Sequence, residues 1–153
     1  MIIRKAIAGD RDFIFTLAPT LIENANLSWH SEDIVLQWQS RYIGESLDEI
    51  KEPQIVYIAE KDGIQLGFIQ IVESKDEISN EPCARVPLIA VTKDAQGVGV
   101  GRKLMDEAER WAKSRGHRLL QLEVFYNNRS ARGFYEKQGF QNETNIMVKP
   151  LEG

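Results

Sequence analysis

The chain has 153 residues, which suits one compact domain with a buried core, and its apolar share of 42% and charged share of 27% are ordinary for a globular protein. A formal net charge of −4 and a pI near 5.3 argue against a general nucleic-acid surface. The single Cys83 excludes an internal disulfide and a cysteine-based zinc cage, the early charges (Arg4, Lys5, Asp10, Arg11, Asp12) exclude a signal peptide, and no apolar run is long enough to span a membrane, so a cytoplasmic location is the default expectation.

Ile2 to Ile7 reads as a short strand that Gly9-Asp10 ends. Asp10 is placed to cap a helix whose apolar face is Phe13, Ile14, Leu17, Leu21 and Ile22, with Pro19 expected to kink or split it. Asn24 to Trp29 reads as a loop. Ser31 is placed to cap a second helix with Ile34, Val35, Trp38 and Tyr42 on one face, and the charged stretch Gly44 to Pro53 is expected to end it. Ile55 to Ala59 and Ile64 to Val72 are strands joined through Lys61-Asp62-Gly63, an Asp-Gly hairpin signal. Ser74 to Pro82 is polar and loop-like. Val86 to Val91 is an apolar strand in which Pro87 demands a break or bulge.

Gln96-Gly97-Val98-Gly99-Val100-Gly101 follows and runs into the clearest helix of the chain. Its stripe is Val100, Leu104, Ala108, Trp111 and Ala112, with Asp106/Arg110 and Glu109/Lys113 as expected surface pairs and Gly116 as its end. Three alternate glycines cannot serve helix propensity, since each costs about 1 kcal/mol there. Their use is conformational: glycine reaches positive φ and admits a ligand close to backbone N–H groups, and the helix that follows adds its own free N–H groups. Such a loop binds an anion, usually a phosphate or pyrophosphate, although a flexible surface turn is the plainer alternative. Leu119 to Phe125 is a further strand, Asn127-Asn128 opens a last helix through Ala131, Phe134 and Tyr135 to Gly139, and Phe140 to Val148 reads as a closing strand. No repeat or linker divides the chain, so residues 1–153 read as one domain.

Two motifs together resemble the GNAT superfamily of acetyl-CoA-dependent N-acetyltransferases. One is an apolar strand, Ile89-Ala90-Val91, then Gln96-x-x-Gly99-x-Gly101 opening a helix. The other is Asn128-x-x-Ala131-x-x-x-Tyr135-x-x-x-Gly139-Phe140, and the opening Arg4-x-Ala6-x-x-x-Asp10-x-x-x-Ile14 is similar as well. Lys93 stands where many members carry Pro in the turn. The resemblance implies an α/β domain of the α+β type: a central mixed, mostly antiparallel sheet of about six to seven strands flanked by about four helices, splayed between the strand before the glycine loop and the strand after its helix. It further implies acetyl-CoA as cosubstrate, held by the backbone of Ile89, Ala90 and Val91, by the loop Gln96, Gly97, Val98, Gly99, Val100, Gly101 and Arg102, and by Asn128 and Tyr135. No metal is called for.

By the same resemblance Tyr135 matches the family's general acid, a phenol that stays protonated at neutral pH, the alternative being a core aromatic. Leu122-Glu123-Val124 is similar to the strand whose glutamate is the proposed base in family members acting on ribosomal-protein N-termini. An ordinary Glu is a weak base for an ammonium, so burial or a relaying water is needed, and a salt-bridged or solvated carboxylate is the alternative. The partner is then an unidentified amine acceptor, a small molecule or a peptide amine, with no nucleic acid and no membrane involved. Trp29, His30, Trp38, Tyr42, Glu45 and Glu81 are candidates to line its pocket, and Arg129, Arg132 and Lys137 to approach the cofactor's phosphate; the plainer reading makes Trp38 and Tyr42 helix core and the histidines surface residues. A homodimer is compatible with the family, though the sequence offers no interface. Two other classes compete: an NAD-dependent oxidoreductase, whose Gly-rich fingerprint is imitated by Gly97-x-Gly99-x-Gly101 and Glu123, and a non-catalytic acyl-CoA-binding module.

Overall fold

Alternating β-branched and polar residues pair the middle of the chain into one sheet. In the computed structural model, which describes residues 1–20, 22–23, 25–48 and 53–152, the strands are β1 (Ile2–Lys5), β2 (Gln54–Lys61), β3 (Ile64–Lys75), β4 (Pro82–Val91) and β5 (Leu120–Leu122), in the order β1-β2-β3-β4-β5. Neighbours are antiparallel except β4 and β5, which are parallel. Asp62 (φ 52°) and Gly63 (φ 78°) turn the β2–β3 hairpin in two left-handed residues, as the Asp-Gly pair predicts.

Four α-helices flank the sheet: α1 (Arg11–Leu17), α2 (Glu32–Asp48), α3 (Val100–Ser114) and α4 (Arg129–Lys137). Helices α1 and α2 cover one face, where Ile14, Ala18 and Ile43 pack on Ile58, Phe68, Leu88 and Ala90. Helix α3 covers the other, setting Val100, Leu104, Met105, Ala108 and Ala112 against Tyr57, Ala59, Ile69, Ile71, Ala84 and Val86. The face changes along β4. Ala84 and Val86 point to α3, whereas Leu88 and Ala90, of the same parity, point to α1 and α2. The cause lies at Pro87: between Gln70↔Leu88 and Val72↔Arg85 the register shifts, so two β4 residues oppose one on β3. This is the bulge that Pro87 demands, and a bulge exchanges the two faces of a strand of period two.

Several elements differ from their sequence reading. The sheet has five strands among the described residues, not six to seven, and Phe140 to Val148 forms none of them. Residues 141–150 are all exposed, because strand propensity without a paired edge leaves the backbone to water. Strand β5 is shorter than Leu119 to Phe125, since β4 bends away from it after three rungs. Helix α2 passes through Gly44 to Asp48, held by the burial of Ile43 and by Gln70 Nε2 donating to the Ser46 carbonyl. Its buried side is Gln39, Ile43 and Ser46, with Ile34 turned outward. Asp10 precedes α1 but does not cap it; its carboxylate is taken by Arg4 (2.8 and 2.9 Å), Gln65 Nε2 (2.6 Å) and the Ile7 N–H (2.8 Å). On α3, Arg110 pairs with Glu107, one turn back, in place of Asp106. Other readings hold: Ser31 Oγ accepts the Ile34 N–H at 3.3 Å, and Pro19 leaves the helical region at ψ 30°. Leu21 and Asn24 lie outside the described residues.

Candidate active site

Strands β4 and β5 share only the rungs Ala84↔Leu120, Arg85↔Gln121 and Val86↔Leu122. Beyond Val86, β4 continues to Val91 while β5 has ended, so the sheet opens into a wedge, and on that side the backbone of Pro87 to Val91 pairs with no strand among the described residues. Ile89, Ala90 and Val91, named from the sequence as cofactor contacts, form one wall of the wedge.

The glycine loop lies at the open end. Thr92 N–H donates to the Leu66 carbonyl (2.9 Å) and Ala95 is buried, which anchors the loop to the sheet. Gly97 and Gly99 take φ of 80° and 88°, with open space where a side chain would begin. These two are conformational glycines. Gly99 is also the N-cap of α3, and having no side chain it leaves the first N–H groups of that helix uncapped and facing outward. Gly101 is different: a Cβ there would meet the Phe134 ring at 3.2 Å. The third glycine is thus the seat on which α4 rests, and it joins the two motifs in space.

Helix α4 is a self-contained reading of its motif. Asn128 is the N-cap, its Oδ1 accepting the Ala131 N–H at 3.2 Å. At the far end Gly139 (φ 96°) closes a Schellman turn, with Gly139 N–H to Glu136 O and Phe140 N–H to Tyr135 O, both 3.0 Å. Phe140 then packs edge-on against Tyr135, ring centroids 5.8 Å apart. Asn128, Gly139 and Phe140 of this motif thus serve the two ends of the helix itself, whereas the tyrosine hydroxyl does not. That hydroxyl bonds to no group among the described residues, and burial pushes the phenol up to about 12 by penalising the phenolate.

The wall on the α1–α2 side is aromatic. Trp38 stacks on Tyr42 (5.2 Å, 26°) and meets Phe125 edge-on (5.6 Å, 69°). Asn127 and Asn26 exchange hydrogen bonds, tying the segment after β5 to the loop before α2. Glu123 lies in that segment, exposed, one residue beyond β5. Arg85, on β4, donates to the Tyr42 hydroxyl at 3.2 Å, and Tyr42 in turn donates to the Pro87 carbonyl at 3.1 Å. Arg85 and Phe125 were not among the sequence candidates; an arginine inside the apolar run Ala84 to Val91 was the available signal for the first.

The remaining candidates separate. Glu81 lies one residue before β4, at the closed end of the wedge, and is engaged by Arg118 and Ser79, which hold its carboxyl below the usual range. Trp29 and His30 are exposed neighbours, 6.2 Å between centroids, and Glu45 is exposed. His117 is packed at the end of α3 against Glu73. Arg132 is spent on the Tyr126 carbonyl (2.9 Å) and ring, whereas Arg102, Arg129 and Lys137 are exposed. A cleft of about 370 Å³ lined by Met1, Ile3, Lys103, Asp106, Glu107 and Arg110 lies by β1 and α3, away from the wedge, and its mixed charges converge on nothing. Among the described residues no group of three acids, histidines or cysteines could hold a metal, and no helix is long and apolar enough to cross a membrane.

Known proteins share this fold. A model of the acetyltransferase (GNAT) family matches residues 21–140. An uncharacterized N-acetyltransferase of Bacillus subtilis is 28% identical over 93 residues, a stretch covering 61% of this chain and 62% of that protein, so the match spans less than two thirds of the relative's length. Among solved structures, a candidate acetyl transferase from Pyrococcus furiosus superposes with a TM-score of 0.75 at 24% identity, covering 98% of this chain and 99% of that one. The aminoglycoside N-acetyltransferase AAC(6′)-Iy, solved with CoA, superposes with a TM-score of 0.69 at 17% identity, covering 99% of this chain and 95% of that one. At these identities the structural likeness is one of fold.

Proposed function

Because this chain belongs to the acetyltransferase (GNAT) family, we propose that it transfers an acetyl group from acetyl-CoA to a primary amine by direct attack in a ternary complex. The observation that carries this reading is the wedge: an unpaired β4 edge leading to a glycine loop whose helix begins without a cap. An extended arm with a pyrophosphate at one end suits both halves, since backbone groups at the edge bond the arm and the uncapped N–H groups take the negative charge. When bound, acetyl-CoA supplies the activated thioester.

The chain's own groups do the rest. Gly97 and Gly99 keep side chains out of the phosphate cradle, and Arg102 in the first turn of α3 adds a cation beside it. Asn128 orders the start of α4, and Phe134 on Gly101 sets that helix against the loop. Tyr135 holds a proton at its hydroxyl for the departing sulfur. Glu123 takes the proton released by the amine. Its exposure suits transfer through water.

An NAD-dependent reading would need the doubly wound parallel sheet on which its glycine fingerprint works, and here three of four strand junctions are antiparallel. A non-catalytic acyl-CoA module would keep the fold and leave the Tyr135 hydroxyl without use. We also propose a homodimer, supported by the unpaired segment after Phe140, which exposes Ile146, Met147, Val148 and Leu151. A sedimentation mass of one chain at all concentrations removes that assignment.

The deciding experiment is a thermal shift with acetyl-CoA, CoA, NAD and ATP in parallel. A ligand at about 100 times its Kd stabilises by roughly 2.7 kcal/mol, several degrees for a domain of this size. Stabilisation by acetyl-CoA and CoA alone is the expected result; a shift with NAD and none with CoA replaces this reading with the oxidoreductase one.

A further inference from the structure

The acceptor side of the wedge holds a cation that the fold does not use up. Arg85 occupies the second of the three rungs joining β4 to β5, one residue before the strands part. Its neighbours Ala84 and Val86 face α3, so Arg85 faces α1 and α2, where its Nη2 reaches the Tyr42 hydroxyl. That is its one hydrogen bond among the described residues. Nε is shut off from solvent and has no acceptor, and the guanidinium forms no ion pair among the described residues.

Arg132 Nε is likewise buried without an acceptor, so what sets Arg85 apart is the missing carboxylate. Arg4, Arg11, Arg110, Arg115, Arg118 and Arg132 each have a carboxylate, and Arg41, Arg102 and Arg129 are exposed, where water serves them. Arg85 alone is half-buried and unpaired among the described residues. A guanidinium offers five N–H donors in a planar fork that matches a carboxylate, and leaving them buried without an acceptor is costly. Its partner Tyr42 belongs to an aromatic cluster, stacked on Trp38, which meets Phe125 edge-on.

Resting on the acetyl-transfer reading, we infer that Arg85 receives a carboxylate of the acceptor, which makes the substrate class an amino acid or related amino carboxylate. A second anion-bearing group on the acceptor completes the donors of Arg85, while the aromatic wall takes the apolar part of the molecule. A simple alkyl amine leaves the fork unfilled. A polyamine brings like charge to it.

The test compares kcat/KM for matched pairs, each an amino acid and its decarboxylated amine: phenylalanine with phenethylamine, leucine with isoamylamine, lysine with cadaverine. The expected result is a preference of about tenfold or more for the carboxylate-bearing member of at least one pair, carried mainly by KM. In Arg85→Met the ratio falls towards one, and Arg85→Lys restores part of it. Tyr42→Phe retains the preference, because the carboxylate bonds to the guanidinium and not to the phenol. Equal use of both members in every pair overturns the inference. So does transfer to neither member while acetyl-CoA still raises the melting temperature, and so does a Tyr42→Phe variant that loses the preference as fully as Arg85→Met, which would make Arg85 a prop for Tyr42. Absence of any shift with acetyl-CoA overturns the acetyl-transfer reading itself, and the inference with it, and is separable from the other outcomes.

Discussion

The roles proposed for Tyr135 as acid and Glu123 as base each make a separate prediction. Tyr135→Phe keeps the ring between Phe134 and Phe140, so folding and acetyl-CoA affinity should persist while kcat falls at least tenfold, in line with general-acid losses of about 10²–10⁴. Steady-state kinetics with a matched thermal shift decide it, and unchanged turnover removes the phenol from the mechanism. Since burial raises this phenol to about 12, its acid form is present at all lower pH. No decline in rate attributable to Tyr135 is therefore expected below about pH 11. Glu123→Gln should lower kcat about tenfold or more while acetyl-CoA affinity is kept; steady-state kinetics showing an unchanged kcat would assign proton acceptance to another group. Tyr135 was visible in the sequence through its spacing from Asn128, Gly139 and Phe140, and Glu123 through its strand. Arg85 was visible only as a charge in an apolar run. What makes it notable is that no carboxylate among the described residues pairs with it, and partners far apart in sequence are chosen by packing.

At the scale of elements, the glycine loop and α4 work as one unit because Phe134 sits on Gly101. Gly101→Val should force this contact apart at a cost of about 1–3 kcal/mol, with a fall in kcat as Tyr135 shifts. A melting temperature within a degree of the parent's would show that α4 is not seated there. Asn128→Ala removes the cap on the Ala131 N–H and should cost about 1 kcal/mol. Most helices were legible because their end signals are local: Ser31 at the start of α2, Gly116 after α3, Asn128 and Gly139 around α4. Strand ends were less so. Whether Leu119 to Phe125 or Phe140 to Val148 pairs depends on an edge being within reach, and side-chain alternation carries no information about that.

For the whole molecule, the Arg4–Asp10 pair links β1 to the entry of α1 and, through Gln65 and Glu60, to the β2–β3 hairpin. Arg4 is the first cause, followed by the Ile7 N–H and Gln65, of an Asp10 carboxyl held far below the usual range against the opposing cost of its burial. A carboxyl depressed in the folded state contributes stability that is complete above its unfolded value, near 3.9, and is lost as pH falls towards its folded value. Asp10→Asn should therefore cost about 3 kcal/mol at neutral pH and flatten the acid limb of unfolding below about pH 4. Urea titrations at pH 7 and pH 3 check both; an acid limb as steep as the parent's would place the acid sensitivity elsewhere.

Read from the residues, the chain already specified an α/β domain with its family resemblance, its hairpin, most of its helix ends, a break or bulge at Pro87 and the glycine loop that opens α3. Those features follow from local rules: positive φ needs glycine, a helix start needs an acceptor, and a proline in a strand needs a bulge. Long-range packing was needed to part β4 from β5 after three rungs, to exchange the faces of β4, to seat Phe134 on Gly101, to draw Asp10 from its helix cap to Arg4, and to leave Arg85 without a carboxylate among the described residues. Each of these is settled by which surfaces meet across the sheet, and a linear pattern of side chains does not encode its own neighbours.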